Sequence, residues 1–162
     1  MRRPLLVTVV AFAGLILASA QPRAQGSDTW IGKWVLNVGL SSWSPAELAP
    51  KSQSTVITAS PDGGNMAVTD GVDAGGKKTH TEIAYKFDGK EYDLKGAPDA
   101  KTTRVYTRVD DHAYTMATKV AGTITTTSRV AVTGDGKTRT LVTTGRDAQG
   151  RIIRNFTVYN KQ

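Results

Sequence analysis

Short clusters of turn-forming residues divide most of this chain into strand-sized segments. The turns between the segments include Asp-Gly pairs such as Asp135-Gly136, which supply the positive backbone dihedrals of tight hairpins. The segments span residues 53–60, 65–72, 77–87, 90–95, 102–109, 112–121, 123–134, 137–145 and 151–160. Connections this short force neighbouring strands to be antiparallel, because a parallel crossover needs about a dozen residues or more. The chain is therefore predicted to be all-β.

Residues 30–38 predict a further strand ahead of these segments. Trp34 and Leu36 fall on one parity of the segment, and Lys33 and Asn37 fall on the other. This alternation predicts a half-buried strand with Trp34 pointing inward. An open sheet of so many strands would leave exposed edges, which closure removes. We therefore predict an antiparallel up-and-down barrel of about 8–10 strands, formed by residues 30–162.

One short helical turn is predicted between the first two strands. Ser44 occupies the position of an N-cap, Pro45 the first helical position and Glu47 the third position of a capping box. Pro50 ends the helix within about one turn, because its ring removes a backbone donor.

The first 20 residues have the pattern of a secretory signal peptide. Arg2-Arg3 precede an apolar stretch over residues 5–17, and Ala18-Ser19-Ala20 form a small-residue cleavage site. The apolar stretch is shorter than the roughly 20 residues that span a bilayer, so no transmembrane anchor is expected in the mature chain. Residues 21–29 are predicted to be a flexible leader. The expected location is the periplasm or the extracellular medium.

The charged residues argue against a nucleic-acid partner. The whole chain has a net charge of +7, and removal of Arg2 and Arg3 leaves +5. These charges are spread singly along the chain, whereas nucleic-acid binding favours a basic block or stripe. With two histidines and no cysteine, the composition predicts no metal site, no cofactor and no disulfide.

Both ends of the predicted barrel resemble the calycin superfamily of lipocalins and fatty-acid-binding proteins. Residues 30–34, Trp-Ile-Gly-Lys-Trp, resemble the Gly-x-Trp motif of the first strand, and residues 156–161 are similar to the closing strand of fatty-acid-binding proteins. The resemblance implies a barrel that holds a small hydrophobic or anionic amphipathic ligand, with Trp34 in the interior. It also implies that the Tyr159 phenol helps to hold a ligand carboxylate. Thr157 stands where the family has an arginine, so that anchor is incomplete.

A cationic strand could replace the missing arginine. Arg104, Tyr106 and Arg108 alternate along one segment and therefore share a face. If that face is the interior, two guanidinium groups and a phenol would bind an anionic head group. If Val105 and Thr107 point inward instead, the two arginines lie on the solvated surface. These two interpretations stay open at the level of sequence.

Arginines on later strands have the same ambiguity. Arg129, Arg139 and Arg154 each lie in a predicted strand, and each could point to the interior or to solvent. Arg154 could also cap Trp34 by stacking, as a closing-strand arginine does in lipocalins, with a cation–π contact of about 1 kcal/mol.

The residues suited to catalysis are few. His80 and Glu82 share one face of a strand and could act as a general base pair or as two metal ligands. We predict no catalytic residues and favour an exported binding protein with a ligand in the barrel. One alternative is an envelope protein whose side-chain-filled barrel binds a protein or polysaccharide partner. The other is a small lipocalin-like enzyme that uses His80 and Glu82.

Overall fold

The computed structural model describes residues 29–162 apart from residues 100 and 148; the predicted signal peptide and nearly all of the leader lie outside the described residues. The strands are β1 (Gly32–Leu36), β2 (Ser52–Ala59), β3 (Asn65–Val72), β4 (Lys78–Tyr85), β5 (Asp88–Asp93), β6 (Thr102–Arg108), β7 (Ala113–Val120), β8 (Thr123–Val132), β9 (Thr138–Arg146) and β10 (Ile152–Lys161). Among the described residues, no helix is long and apolar enough to cross a bilayer.

The strands form one antiparallel sheet that closes almost completely into a barrel. All sequence neighbours except β4 and β5 pair along the chain, and β1 pairs with β10 to join the two ends, giving the order β4-β3-β2-β1-β10-β9-β8-β7-β6-β5. The remaining seam lies between β4 and β5, where Glu82 and Lys95 exchange backbone hydrogen bonds of 2.9 and 3.1 Å. The predicted all-β up-and-down barrel is confirmed.

The connection between β1 and β2 contains two 3₁₀ turns, at Val38–Leu40 and Ala46–Leu48. The second turn lies where the short helix was predicted, but Ser44 does not cap it; Pro45 holds the N-cap position and makes no side-chain cap bond. The reason is strand pairing. The Ser44 carbonyl accepts a hydrogen bond from the Arg154 amide at 3.0 Å, so Ser44 extends the sheet along β10.

Aromatic side chains fill one end of the barrel. Trp30 and Trp34 are fully buried, and the Trp34 indole N–H donates to the Trp30 carbonyl oxygen at 2.7 Å. The Tyr85 and Tyr106 rings stack with centroids 3.9 Å apart, and the Trp30 and Tyr114 rings meet edge to face at 5.0 Å. This packing closes one end of the barrel.

Candidate functional site in the barrel interior

The barrel encloses a cavity of about 690 Å³. Its wall is formed by the inward parity of β2 to β4 and of β6 to β10, together with the residues around Trp43 and Leu48 at the rim. Side chains therefore do not fill the barrel along its whole length, and part of the interior is open space. Binding cavities for small molecules in proteins have roughly this volume.

The structure separates the predicted β6 residues. Arg104, Tyr106 and the predicted Tyr159 line the cavity. Arg108 lies outside the cavity at the aromatic end, where its guanidinium carbon is 6.0 Å from the Trp30 ring centroid and its side chain pairs with Asp111. The face that carries Arg104, Tyr106 and Arg108 is therefore not wholly in solvent. Arg104 and Tyr106 point inward, and only Arg108 lies outside the cavity.

Arg139 on β9 stacks on the floor of the cavity. Its guanidinium carbon lies 4.6 Å from the Tyr159 ring centroid and 5.1 Å from the Trp34 ring centroid. Arg139 and Tyr159 are directly opposite each other in the β9–β10 ladder, which fixes this contact. Trp34 itself is buried below the cavity wall rather than exposed to it.

The predicted stacking of Arg154 on Trp34 is wrong. Arg154 is exposed on the outer face of β10, because Thr157 and Tyr159 occupy the inward parity of that strand. Arg139 and Lys161 cover the Trp34 ring instead; the Lys161 Nζ lies 5.2 Å from the ring centroid. Arg129 is also exposed on the outside.

The two inward arginines have no counter-ion in the described part of the chain. Arg139 is only 4% exposed, and the Nε atoms of both Arg104 and Arg139 are buried without a hydrogen-bond partner. No described carboxylate lies within ion-pair distance of either group. Arginine stays charged in proteins, and a buried charge without a partner is costly. The cavity floor therefore carries positive charge that nothing in the described chain neutralises.

The positive charges of the two arginines also affect the pKa values of two buried tyrosines. Burial raises the pKa of Tyr114 to about 12, and the positive charges of Arg139 and Arg104 partly oppose that rise. Burial also raises the pKa of Tyr159, again against both arginines. The positive charges of Arg104 and Arg139 thus act on both phenols in the same direction.

The Tyr159 hydroxyl donates its proton to the side-chain oxygen of Gln53 on β2. A phenol has only one proton to donate. In this geometry the Tyr159 hydroxyl positions Gln53, and the buried N–H donors without a partner belong to Arg104 and Arg139. The closing-strand motif pointed to Tyr159 but gave no signal for Gln53, which lies on β2, separated from β10 only by β1.

Hydroxyl groups line much of the cavity wall. The Thr55 and Thr69 hydroxyls lie 3.0 Å apart on β2 and β3, and the Ser128 and Thr143 hydroxyls lie 2.8 Å apart on β8 and β9. The other inward hydroxyl residues are Thr79, Thr81, Thr118, Thr126 and Thr157. Apolar side chains, including Ile57 and Leu141, alternate with them.

His80 and Glu82 lie on the outer face of β4, with Asp70 opposite on β3. The His80 Nδ1 is 2.7 Å from the Asp70 carboxylate, and its Nε2 is 3.1 Å from the Glu82 carboxylate. The two side chains are 55% and 42% exposed and point to solvent, although the residue His80 also borders the cavity. Among the described residues, no group of histidine and carboxylate side chains is arranged to hold a metal ion.

A raised pKa is expected for His80, and NMR can measure it. Hydrogen bonds to Asp70 and then to Glu82 raise the His80 pKa above 6.5. The stabilisation from this cluster should be fully present below pH 6.5 and should disappear as the pH rises through the raised value. We expect Asp70→Asn to lower the His80 midpoint in a ring-proton titration, whereas Asp73→Asn, which removes a carboxylate elsewhere, should leave it nearly unchanged. Equal midpoints in wild type and Asp70→Asn would contradict this.

Comparisons with known proteins support the fold. No family model matches the chain, and no curated protein matches it in sequence. The solved structure of the wild-type fluorescent protein UnaG is similar to it, with a TM-score of 0.56 and 12% sequence identity over 82% of this chain and 97% of that one. UnaG has a calycin barrel, so the calycin architecture expected from the two terminal motifs is confirmed as a fold. The similarity shows a calycin-like barrel fold, and the cavity lies in the interior of that barrel.

Proposed function

We propose that this protein holds a small organic anion inside its barrel. The observation that carries the proposal is the pair of inward guanidinium groups, Arg104 and Arg139, which have buried Nε atoms and no carboxylate partner among the described residues. An anionic group on a ligand would supply the missing counter-ion. Charge-assisted hydrogen bonds from arginine to oxyanions are short and often bidentate, which suits this role.

The packing around Arg139 favours one fixed position for the anionic group of a ligand. Stacking on Trp34 and Tyr159 holds the Arg139 guanidinium in place, so little side-chain entropy is lost when a ligand binds. The ligand body would then extend along the cavity towards the rim near Trp43 and Leu48.

The other candidate functions have less support. A side-chain-filled barrel that binds only through its outer surface does not agree with a cavity of about 690 Å³. An enzyme that uses His80 and Glu82 would need a substrate on the outer face of β4, because both side chains point to solvent. The cavity favours binding over either alternative.

Binding of the anionic fluorophore 8-anilinonaphthalene-1-sulfonate tests the proposal. We expect the wild type to bind it in the barrel and Arg139→Gln to weaken binding about tenfold or more, because charge-assisted hydrogen bonds contribute about 1.5–3 kcal/mol. Arg129→Gln is the matched control, since it removes the same charge from the exposed face of β8. Arg104→Gln gives a second test if Arg139→Gln proves unstable. The same affinity in all four proteins would refute the proposal.

We further propose that the protein is exported to the periplasm or the medium. The support is the sequence of residues 1–20, with its basic start, apolar stretch and small-residue cleavage site. The intact mass of the protein from its native cells should correspond to a chain that starts at Gln21. A mass that retains residues 1–20 would contradict export by cleavage.

A further inference from the structure

From the cavity wall we infer the ligand class: a hydroxylated organic anion, of the sugar-acid or sugar-phosphate type, rather than a long-chain fatty acid. This inference rests on the proposed function, since it describes the body of the anion whose charged group the two arginines hold. The observation behind it is the layer of threonine and serine hydroxyls around the cavity, which the anion site alone does not require.

The hydroxyl layer extends over several strands of the wall. Thr118 on β7 and Thr126 on β8 are paired directly across the ladder, and both line the cavity. On β2 and β3, the Thr55 and Thr69 hydroxyls form a second pair. Each such group has one proton to donate and two lone pairs to accept. A bound molecule therefore meets hydrogen-bonding groups from more than one side of the barrel.

Part of this hydrogen-bonding capacity is unused within the protein. In the structure over residues 29–162, with 100 and 148 excluded, the Thr118 and Thr126 hydroxyls make no hydrogen bond. The Thr118 backbone carbonyl does accept one, from the Thr125 hydroxyl, but the Thr118 hydroxyl itself is available to a ligand. These two side chains are the sharpest probes of what the wall recognises.

A fatty acyl chain is a poor partner for such a wall. It would displace water from the hydroxyls and offer no hydrogen bond in return, and leaving polar groups unpaired on burial is unfavourable. A sugar acid or sugar phosphate replaces those bonds with its own hydroxyls. Its apolar ring faces also suit Ile57 and Leu141, which lie between the hydroxyl groups. The anionic group in both compounds is an oxyanion that Arg104 and Arg139 can bind.

Calorimetric titration of the full chain tests this inference. The ligands are D-glucuronate, a disaccharide of two glucuronate units, glucose 6-phosphate, neutral D-glucose and dodecanoate. We expect at least one hydroxylated anion to bind at least tenfold more tightly than dodecanoate and D-glucose. The glucuronate and phosphate arms distinguish a carboxylate from a phosphate head group.

Two double variants isolate the contribution of the cavity-wall hydroxyl groups to ligand binding. Thr118→Val with Thr126→Val removes two inward hydroxyls, and we expect it to weaken the preferred hydroxylated anion about tenfold while strengthening dodecanoate. Thr115→Val with Thr127→Val is the matched control, because these residues lie on the same two strands outside the cavity lining. The control should bind every ligand as the wild type does.

The outcomes separate the two proposals. Preferential binding of dodecanoate, or equal losses in the two double variants, would overturn the hydroxylated ligand class and leave the anion site intact. If none of the charged ligands binds, including 8-anilinonaphthalene-1-sulfonate, the anion site itself fails, and this inference fails with it. Selective loss of the hydroxylated anion in Thr118→Val with Thr126→Val supports it.

Discussion

Trp34→Ala is expected to lower the free energy of unfolding by about 3–5 kcal/mol, the usual cost of removing a fully buried tryptophan. Trp34 is 0% exposed, and its indole N–H satisfies the Trp30 carbonyl oxygen at 2.7 Å. The truncation removes that bond, leaves a cavity in the closed end and deprives Arg139 and Lys161 of the ring on which they stack. Urea unfolding followed by circular dichroism would measure the loss.

Trp43→Ala is the matched control for this prediction. Trp43 is only partly buried, at the rim of the cavity, so its truncation leaves a space that solvent can fill. Its cost should be clearly smaller than that of Trp34→Ala. Similar losses in the two variants would mean that the closed end of the barrel does not depend on the Trp34 side chain in the way described.

Gly96→Ala is expected to destabilise the protein by about 2–3 kcal/mol and to loosen the seam between β4 and β5. Gly96 has a φ of +75°, and a Cβ atom there would lie 2.2 Å from the His80 carbonyl oxygen. Because that oxygen belongs to the backbone of β4, the seam itself has to move. The adjacent Glu82 and Lys95 bridge should weaken, so hydrogen exchange of these two amides should become faster.

Gly89→Ala is the control that separates the cost of the steric clash from the cost of a positive φ. Gly89 has a φ of +74°, nearly the same as Gly96, but no atom lies within 4 Å of a Cβ placed there. Its cost should be about 1–2 kcal/mol, from the left-handed conformation alone. If Gly96→Ala costs no more than Gly89→Ala and leaves exchange at Glu82 and Lys95 unchanged, Gly96 does not control the seam.

Local chemistry made most of the fold predictable. Turn residues such as Asp135-Gly136 set the hairpins, short connections made the paired sequence neighbours antiparallel, and the alternation around Trp34 identified its buried side. Asp88-Gly89 is the exception, because it lies within β5, and β4 and β5 meet at the seam instead of forming a hairpin. The short helical turn was predicted in the right place, at Ala46–Leu48. Its Ser44 cap was wrong because the backbone of Ser44 pairs with Arg154, more than 100 positions along the chain. A capping motif depends on neighbouring residues, whereas the hydrogen bond between Arg154 and Ser44 joins residues far apart in the chain.

The candidate site was only partly predictable, because threonine occupies both faces of several strands. On β8, Thr126 points inward and Thr127 outward, so hydropathy does not reveal which parity lines the cavity. A one-residue change of register would exchange the two faces. For the same reason the sequence left Arg129, Arg139 and Arg154 equivalent. Only Arg139 proves to point inward, where it faces Tyr159 across the ladder.

The sequence by itself determined an antiparallel barrel with Trp34 buried at one end, because turns, strand alternation and short connections act between near neighbours. The tertiary structure decided which arginines line the cavity, that Gln53 accepts a hydrogen bond from Tyr159 and that Gly96 packs against His80. Those contacts join residues far apart in the chain, and their geometry depends on strand register and on how the barrel closes. The positive charge of the site arises from that closure, which places Arg104 and Arg139 in one interior without a carboxylate partner among the described residues.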